Sequence, residues 1–286
     1  MDIAETNARL SAALAPWRRA GLAYAFVPTM GALHDGHLAL VRAARARAGR
    51  VVVSVFVNPT QFDRADDLAA YPRPAEADAE LLRGAGADLL YRPHRREIYP
   101  ADYVRAPAPD LLGLDARFEG ARRPGHFDGV VEVVRRLVRL VGPSYMYMGR
   151  KDAQQLAVLR QAAAVEAWPV EIVGVETVRA DDGLALSSRN ARLSPQARDR
   201  APALYAALQV LAKAYRDGAA PAAASAAAHR QLRQAGFEPE YIEVVRARDF
   251  APASEWGGER VAPAEALAIA AAWLEGVRLI DNVAVG

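Results

Sequence analysis

The 286-residue chain contains no cysteine. Disulfides, zinc-thiolate sites and thiol catalysis are therefore excluded, and this composition is typical of a cytoplasmic protein. No apolar run approaches the roughly 18 residues that a membrane-spanning helix needs. The N-terminus MDIAETNARL has no basic lead followed by an apolar run, so we expect no signal peptide. The basic residues are scattered and form no stripe, which argues against nucleic-acid binding.

Lysine is nearly absent from the chain. Of 36 basic residues only Lys151 and Lys213 are lysines, and the other 34 are arginines. Lys151 stands in the tight run GRKD (149–152), where a compact ammonium and a wide planar guanidinium are not interchangeable at a phosphate. The sequence therefore predicts a phosphate contact for Lys151. Lys213 lies within a helical pattern, and we attribute the presence of a lysine there to chance.

Short apolar runs alternate with helical patterns up to about residue 178. The predicted strands lie near 23–27, 51–58, 88–91, 144–148 and 170–178, and the predicted helices near 37–48, 75–85, 128–141 and 152–165. This repetition predicts an α/β fold with a doubly wound parallel sheet. Two Ala-rich helices (195–216 and 221–235) and three short strands (241–245, 267–273 and 277–280) then predict a smaller α+β domain. We place the domains at 1–177 and 178–286.

The segment PTMGALHDGH (28–37) follows the first predicted strand and opens its helix. In open α/β sheets ligands bind at the carboxyl ends of the strands, and a helix N-terminus there suits phosphates. Gly31 and Gly36 permit close approach of the backbone to a ligand. His34 and His37 are three residues apart, so they can point the same way and stabilise developing negative charge. The pair by itself also fits a metal site or an ordinary helix cap.

Polar side chains follow two further strands. Asn58 and Gln61 carry amides, which both donate and accept and can orient a hydroxy acid; NPTQ is also good turn chemistry. Lys151 and Asp152 begin a helix after the 144–148 strand, where Asp152 also fits an N-cap.

The loop 179–192 contains two hydroxyls and a guanidinium in the run SSR (187–189). Such a loop can close over a triphosphate and release the product afterwards. The alternative is a polar linker without a role. Arg123 and His126 precede a helix, and a structural His126 fits the pattern nearly as well.

The segment PTMGALHDGH resembles the HIGH-type signature of the nucleotidyltransferase superfamily, and in full it is similar to the form found in the pantothenate synthetase family. Further segments resemble that family in order: FVNPTQF (56–62) with AYPR (70–73), RPGHFDGV (123–130), GRKDAQQLAVLRQ (149–161), DDGLALSSRNARLSP (181–195) and RLIDNV (278–283). The fourth of these looks like the counterpart of the mobile KMSKS loop. The likeness covers nearly the whole chain.

The resemblance implies a Rossmann-like fold and an ATP-dependent ligase. The reaction would join pantoate to β-alanine through a pantoyl-adenylate, releasing AMP and pyrophosphate, with ATP as a substrate and Mg²⁺ required. A homodimer is implied as well, with no nucleic-acid or membrane partner.

The resemblance also assigns residues. Catalysis falls to His34, His37, Lys151, Ser187, Ser188 and Arg189. ATP would be bound by Pro28, Thr29, Met30, Gly31, His37, Gly149, Lys151, Asp152, Val178, Leu186, Ser187, Ser188 and Arg189. Pantoate would be bound by Met30, Asn58, Gln61 and Gln155, and β-alanine by Gln61. Arg123 and His126 would be further substrate contacts, and Asp78 a magnesium ligand.

Two positions depart from the family pattern. Arg150 stands in MGRKD where the family has an acidic residue (FGEKD), and Leu186 stands where a methionine is usual. Extra positive charge facing the site would change how its ligands are held. Two alternatives therefore remain: an adenylyltransferase for another small acid or phosphate ester, and a nucleotide-binding protein that has lost catalysis.

Overall fold

The computed structural model describes residues 1–61, 68–69 and 71–286, and these form two compact units. One unit comprises residues 1–150 and 155–176, and the other comprises residues 151–154 and 177–286. Phe62 of the FVNPTQF segment and Ala70 of the AYPR segment lie outside the described residues.

The first unit is built on a six-stranded parallel sheet with the order β1-β4-β3-β2-β5-β6. Its strands are β1 (Asp2–Ala4), β2 (Ala25–Thr29), β3 (Val51–Val55), β4 (Leu89–Tyr91), β5 (Tyr145–Gly149) and β6 (Glu171–Val175). The predicted parallel sheet is thus confirmed. The strand predicted over 51–58 is shorter, because β3 ends at Val55 and the chain forms a 3₁₀ turn over Pro59–Gln61.

The helices of this unit lie between the strands. They are α1 (Asn7–Arg19), α2 (Asp35–Arg47), α3 (Ala75–Ala85), α4 (Arg95–Ile98), α5 (Phe118–Arg122), α6 (His126–Val141) and α7 (Ala153–Val165). Short 3₁₀ segments cover Pro59–Gln61 and Leu114–Ala116, and a third, Arg150–Asp152, has its last two residues in the second unit. The sequence did not predict β1 and α1. The start of α1 is a local signal: the Arg9 N–H donates to Thr6 Oγ (3.2 Å), which is an N-cap.

The central strands are buried because their side chains are apolar on both faces. Val51, Val52 and Val53 of β3 and Phe26 and Val27 of β2 are fully inaccessible to solvent. Strands covered on both faces by helices have this continuous apolar character. Burial of each such side chain contributes about 1.5–3 kcal/mol, so the β2–β3 pair is a rigid support for the loops at its carboxyl end.

The second unit has a three-stranded antiparallel sheet, β7 (Glu238–Arg246), β8 (Ala266–Leu274) and β9 (Val277–Ala284). Its helices are α8 (Pro195–Arg200), α9 (Ala203–Arg216) and α10 (Pro221–Gln234), with 3₁₀ segments at Ser188–Arg192, Ala253–Glu255 and Pro263–Glu265. The helix predicted over 195–216 is therefore two helices. The break falls at Pro202, which lacks an N–H and clashes within a continuous helix.

Within the described ranges, no helix is long and apolar enough to cross a membrane.

Candidate active site

The strand order of the first unit reverses next to β2. From β2 the chain continues to β3 on one side, whereas β5 pairs with β2 on the other side. The carboxyl ends of β2 and β5 end in Thr29 and Gly149. Ligands of open α/β sheets bind at such a reversal, so the geometry locates the candidate site in the loops that follow these strands.

The turn after β2 has an unusual backbone. Gly31 has φ 84° and Ala32 has φ 52°, so two successive residues are left-handed. The Gly31 N–H donates to Thr29 Oγ (3.3 Å), and the Thr29 hydroxyl donates to the Ser54 carbonyl (2.7 Å). A Cβ on Gly31 would lie 2.9 Å from Asp78 Oδ2 and 3.0 Å from a Val55 methyl. Glycine is therefore required here for both its dihedral freedom and its size.

The two histidines cap the helix that follows. The Gly36 N–H donates to His34 Nδ1 (3.1 Å), and the His34 N–H donates to His37 Nδ1 (3.3 Å). The two rings lie 4.1 Å apart between centroids. Because each Nδ1 accepts a backbone N–H, a neutral ring carries its proton on Nε2. The histidines are thus a helix cap whose Nε2–H groups are donors, which is compatible with phosphate contact.

Asp78 anchors the turn from the first part of α3. Its carboxylate is 2% exposed and accepts the N–H groups of Ala32 (2.9 Å, to Oδ2) and Leu33 (2.8 Å, to Oδ1). These bonds hold the left-handed segment in the conformation that precedes His34. Binding of Mg²⁺ by Asp78 stays a prediction, and both of its oxygens already accept backbone donors.

Replacement of Asp78 by asparagine is expected to loosen this turn. An amide group would bring an N–H₂ against one of two backbone donors, and a buried donor left unsatisfied costs about 1–3 kcal/mol. We expect the free energy of unfolding of the Asp78→Asn variant to fall by that amount, measured by urea denaturation. Glu80→Gln on the same helix is the control, since Glu80 is 79% exposed.

The kinetics of the same variant separate the two roles of Asp78. A higher requirement for Mg²⁺ at saturating ATP would support the metal ligand, whereas an unchanged magnesium dependence with a weaker apparent affinity for ATP would support the anchor. An Asp78→Asn protein as stable and as active as Glu80→Gln would contradict both.

The turn after β3 contains a closed hydrogen-bond group. Asn58 is 1% exposed, and its Oδ1 accepts the Thr60 N–H (3.3 Å) and the Thr60 hydroxyl (3.1 Å). Its Nδ2 donates to Gln61 Oε1 (3.0 Å) and to the Gly129 carbonyl (3.2 Å). The segment therefore forms a turn stabilised by its own asparagine, the alternative that the sequence left open, and Gln61 lies at its end.

Arg123 and His126 join this group. The guanidinium of Arg123 donates to the Gln61 carbonyl (2.8 Å) through Nη2, and its Nη1 lies 3.2 Å from His126 Nε2. An arginine cannot accept, so His126 Nε2 is the acceptor and the neutral ring carries its proton on Nδ1. His126 is 9% exposed. Both residues thus have a structural role at Gln61, and their contact with a substrate stays a prediction.

Lys151 and Asp152 belong to the second unit although their chain neighbours on both sides belong to the first. The Lys151 side chain is 17% exposed, and its Nζ lies 3.8 Å from Asp152 Oδ1. The Lys151 carbonyl accepts a hydrogen bond from Asn282 Nδ2 (2.8 Å). The backbone of the lysine is therefore fixed by strand β9, while the contact of its ammonium with Asp152 is a long one.

The loop with the two serines begins as a small hairpin. Arg179 and Ala185 form an isolated antiparallel bridge, and the Leu186 N–H donates to the Val178 carbonyl (3.0 Å). Ser187 then caps the 3₁₀ segment Ser188–Arg192, since its Oγ accepts the Arg189 N–H (3.2 Å). The Arg189 side chain is exposed.

A buried ion pair supports this hairpin. Arg179 donates to both oxygens of Asp281 (2.6 and 3.0 Å) and also to the carbonyls of Gly183 (3.1 Å) and Asn282 (3.2 Å). Its guanidinium lies 3.7 Å from the centre of the Tyr205 ring. Burial raises the pKa of the Asp281 carboxyl above its ordinary value, and Arg179 opposes that shift. Residues 281 and 282 thus hold both the hairpin and the Lys151 backbone.

The side chain of Arg150 pairs within the first unit. Its Nε lies 3.2 Å from a Glu176 oxygen, and both side chains are largely exposed. The guanidinium stem runs beside Gly174 of β6, where a Cβ would lie 3.3 Å from it. The charge that departs from the family pattern is therefore directed along β6 and balanced by Glu176.

The structure brings some predicted residues together and leaves others in separate units. The 28–37 turn contacts Asp78, and Asn58, Gln61, Arg123 and His126 form one hydrogen-bonded group; Gln155 lies at the start of α7 in the same unit. The second unit contains Lys151, Asp152, Val178, Leu186 and the SSR run.

Six residues with structural roles at the site were not predicted from the sequence: Thr60, Tyr99, Gly129, Arg179, Asp281 and Asn282. Four of them lie in the family-like segments FVNPTQF, RPGHFDGV and RLIDNV, whereas nothing in the sequence singled out Tyr99.

A reversal of strand order that carries a helix N-terminus, a left-handed glycine turn and two imidazole N–H donors suits a phosphate-bearing ligand. The fold and the site therefore define an α/β protein whose crevice at the strand ends suits a phosphate-bearing ligand.

Comparisons with known proteins identify the family. The sequence profile described as pantoate-beta-alanine ligase matches residues 2–284. A pantothenate synthetase of Thioalkalivibrio sulfidiphilus is 49% identical over 286 residues, covering 100% of this chain and 98% of the relative. The crystal structure of pantothenate synthetase from Thermus thermophilus superposes with a TM-score of 0.89 at 45% identity, covering 100% of this chain and 99% of the other. The chain belongs to the pantoate-beta-alanine ligase family.

A more distant relative has been solved with ligands. The pantoate-beta-alanine ligase of Francisella tularensis, complexed with beta-gamma ATP and beta-alanine, has a TM-score of 0.79 and 29% identity, covering 100% of this chain and 98% of the other.

Proposed function

We propose that this chain condenses pantoate with β-alanine to pantothenate at the expense of ATP. The observation that carries the proposal is the family match over residues 2–284. The Francisella ligase with its nucleotide and β-alanine supports the choice of substrates.

The reaction has two steps. A carboxylate oxygen of pantoate attacks the α-phosphorus of ATP, the bond from that phosphorus to the bridging oxygen breaks, and pyrophosphate leaves. The free amine of β-alanine then attacks the acyl carbon of the pantoyl-adenylate, the acyl–oxygen bond breaks, AMP leaves, and the nitrogen loses a proton. Neither step needs a side-chain nucleophile, so positioning and charge neutralisation supply the catalysis.

Residues of the first unit are proposed to hold pantoate and part of the nucleotide. The Nε2–H groups of His34 and His37 donate to phosphate oxygens, and the glycine turn lets the backbone near Met30 approach the ligands. Gln61 and Gln155 hold pantoate through their amides. The roles of the histidines and of the turn are supported by the tautomer that the two Nδ1 contacts fix and by the position of the turn at the reversal of strand order. The roles of Gln61 and Gln155 are proposed on the resemblance.

Residues of the second unit are proposed to act on the triphosphate. Lys151 neutralises the charge that develops as pyrophosphate leaves, Asp152 contacts the ribose, and Ser187, Ser188 and Arg189 close over the phosphates. The exposed Arg189 and the capped 3₁₀ segment that carries it suit a loop that moves between turnovers.

We propose that Mg²⁺ enters as the magnesium complex of ATP. In the described ranges no group of three or more His, Asp or Glu side chains is arranged to hold a metal ion. Magnesium is commonly held by one or two carboxylates together with substrate phosphates, so the residues present fit a phosphate-bound ion better than a protein cage. Bound there, the ion would neutralise phosphate charge.

A homodimer is also proposed, on the resemblance alone, and size-exclusion chromatography with light scattering tests it.

Pyrophosphate release is the experiment that tests the function. We expect pantoate-dependent exchange of labelled pyrophosphate into ATP without β-alanine, and net AMP plus pantothenate only when β-alanine is added. Exchange with another hydroxy acid in place of pantoate would favour the adenylyltransferase alternative. ATP binding without any acid-dependent exchange would favour a protein that has lost catalysis.

A further inference from the structure

The amide orientation of Gln61 follows from that of Asn58, which is set by contacts with Thr60 and Gly129. The Thr60 N–H can only donate, so the Asn58 atom facing it is the oxygen. The Gly129 carbonyl can only accept, so the Asn58 atom facing it is the nitrogen. The second proton of that nitrogen points to Gln61 at 3.0 Å, which makes the facing Gln61 atom its oxygen. The Nε2 group of Gln61 therefore points away from Asn58.

Tyr99 strengthens this arrangement with a further hydrogen bond to Asn58. Its hydroxyl donates to Asn58 Oδ1 (3.0 Å), and its ring packs against Phe56 and Tyr103 at centroid distances of 6.2 and 5.4 Å. Burial raises the pKa of the Tyr99 phenol to about 12, so the hydroxyl keeps its proton at neutral pH. The phenol is thus a donor that only an oxygen of Asn58 can accept.

Helix α6 packs closely against the turn at residues 58–61 through Gly129. A Cβ on Gly129 would lie 2.5 Å from the Thr60 carbonyl oxygen and 2.8 Å from its hydroxyl, so only glycine lets the helix approach this closely. The Arg123 guanidinium holds the Gln61 carbonyl at the end of the same turn. Side chain and backbone of Gln61 are therefore both fixed before any ligand arrives.

We propose that Tyr99, Asn58 and Gly129 are positioning residues that present the Nε2 donor of Gln61 to the substrate, so that the pantoate group held there is a hydrogen-bond acceptor. Asn58 then acts through Gln61, because both of its N–H donors are used within the chain. A rigid donor selects a carboxylate or hydroxyl oxygen and disfavours a donor group at the same place, since a buried donor facing a donor is left unsatisfied. This inference rests on the proposed function.

Steady-state kinetics of Tyr99→Phe test the proposal, with Tyr103→Phe as a matched control from the same aromatic cluster. Loss of one supporting hydrogen bond corresponds to about a fivefold change. We expect KM for pantoate to rise by about that factor in Tyr99→Phe, with KM for ATP unchanged and with Tyr103→Phe like wild type. The purely structural alternative lowers thermal stability and affects both substrates alike.

A second variant, Asn58→Asp, tests the direction of the donor. A carboxylate can donate neither to Gln61 Oε1 nor to the Gly129 carbonyl. We expect the Gln61 amide to turn and present its oxygen to the substrate, and thermal melting checks that the variant stays folded. The Gln61 oxygen would then face an acceptor group of pantoate where the Gln61 N–H donated before. We expect kcat/KM for pantoate to fall about a hundredfold, while KM for ATP stays within about twofold of the wild-type value.

The outcomes separate this proposal from the proposed function. Wild-type protein without pantoate-dependent pyrophosphate exchange would overturn the proposed function and the inference with it. Active wild type with Tyr99→Phe indistinguishable from Tyr103→Phe, or with equal effects on pantoate and ATP, would overturn the positioning role alone.

Discussion

The Lys151→Ala variant is expected to release pyrophosphate about a hundred- to a thousandfold more slowly than wild type, the usual cost of losing one preorganised charge contact in a transition state. The ammonium is the compact charge proposed to balance the leaving pyrophosphate. Its ion-pair partner within the described residues is Asp152 at 3.8 Å, and its carbonyl bond to Asn282 does not depend on the side chain. The variant is therefore expected to fold normally, as circular dichroism and thermal melting would check.

Lys213→Ala is the matched control, because Lys213 is the other lysine of the chain, lies on α9 and pairs at the surface with Asp217, the residue that follows the helix. It should retain wild-type exchange. Lys151→Arg should recover only part of the activity, since the planar guanidinium spreads the charge over a wider fork. Near-normal pyrophosphate release by Lys151→Ala, in protein shown to be folded, would remove Lys151 from the catalytic assignment.

The Arg179→Met variant is expected to lower the free energy of unfolding of the second unit by about 3–5 kcal/mol, the usual cost of stranding one partner of a buried ion pair. Asp281 is 4% exposed and its two oxygens are held by Arg179. Removal of the guanidinium leaves a buried carboxylate and frees the carbonyls of Gly183 and Asn282. Urea denaturation followed by tryptophan fluorescence measures the effect, since Trp256 packs in the core of this unit.

The loss should depend on pH in a defined direction. Burial raises the folded-state pKa of Asp281 in the wild type, and without Arg179 nothing of comparable strength opposes it. A carboxyl whose folded pKa is raised destabilises the protein above that pKa, and the penalty disappears as pH falls through it towards the unfolded value of about 3.9. Arg179→Met should therefore differ most from wild type at neutral and alkaline pH, and least near pH 4.

Two further variants check the cause. Adding Asp281→Asn to Arg179→Met removes the stranded charge and should restore part of the stability. Arg246→Met breaks a more exposed pair with Asp249 in the same unit and should cost less. A pH-independent loss in Arg179→Met, unchanged by Asp281→Asn, would show that packing against Tyr205 is the main contribution of Arg179.

Most of the fold could be predicted because its signals are local. Strand β3 is an unbroken apolar run, and the helix at residues 75–85 was predicted with the bounds that the structure has. The errors also have local causes. Pro202 separates two helices that the Ala-rich composition predicted as one. The turn stabilised by Asn58 follows β3, which is therefore shorter than predicted. The N-terminal strand was missed because three residues give too short a pattern, and it forms through pairing with β4.

The candidate site was predicted unevenly. His34, His37 and Lys151 were found because short motifs and a rare residue type mark them. Their roles remain proposals, and their local geometry, such as the Nδ1 contacts that fix the imidazole tautomers, required coordinates. Arg150 shows the same limit, because sequence showed that it departs from the pattern and only the structure showed its pairing with Glu176.

The sequence by itself determined the class of fold, the family and the residue types available for chemistry, because apolar periodicity and ordered motifs are carried by neighbours along the chain. Tertiary structure decided how those residues are held. Tyr99 reaches Asn58 across 41 positions, Asp78 reaches Ala32 across 46, and Arg179 reaches Asp281 across 102. Contacts between residues so far apart in the chain depend on how the strands and helices pack, and no local pattern records them.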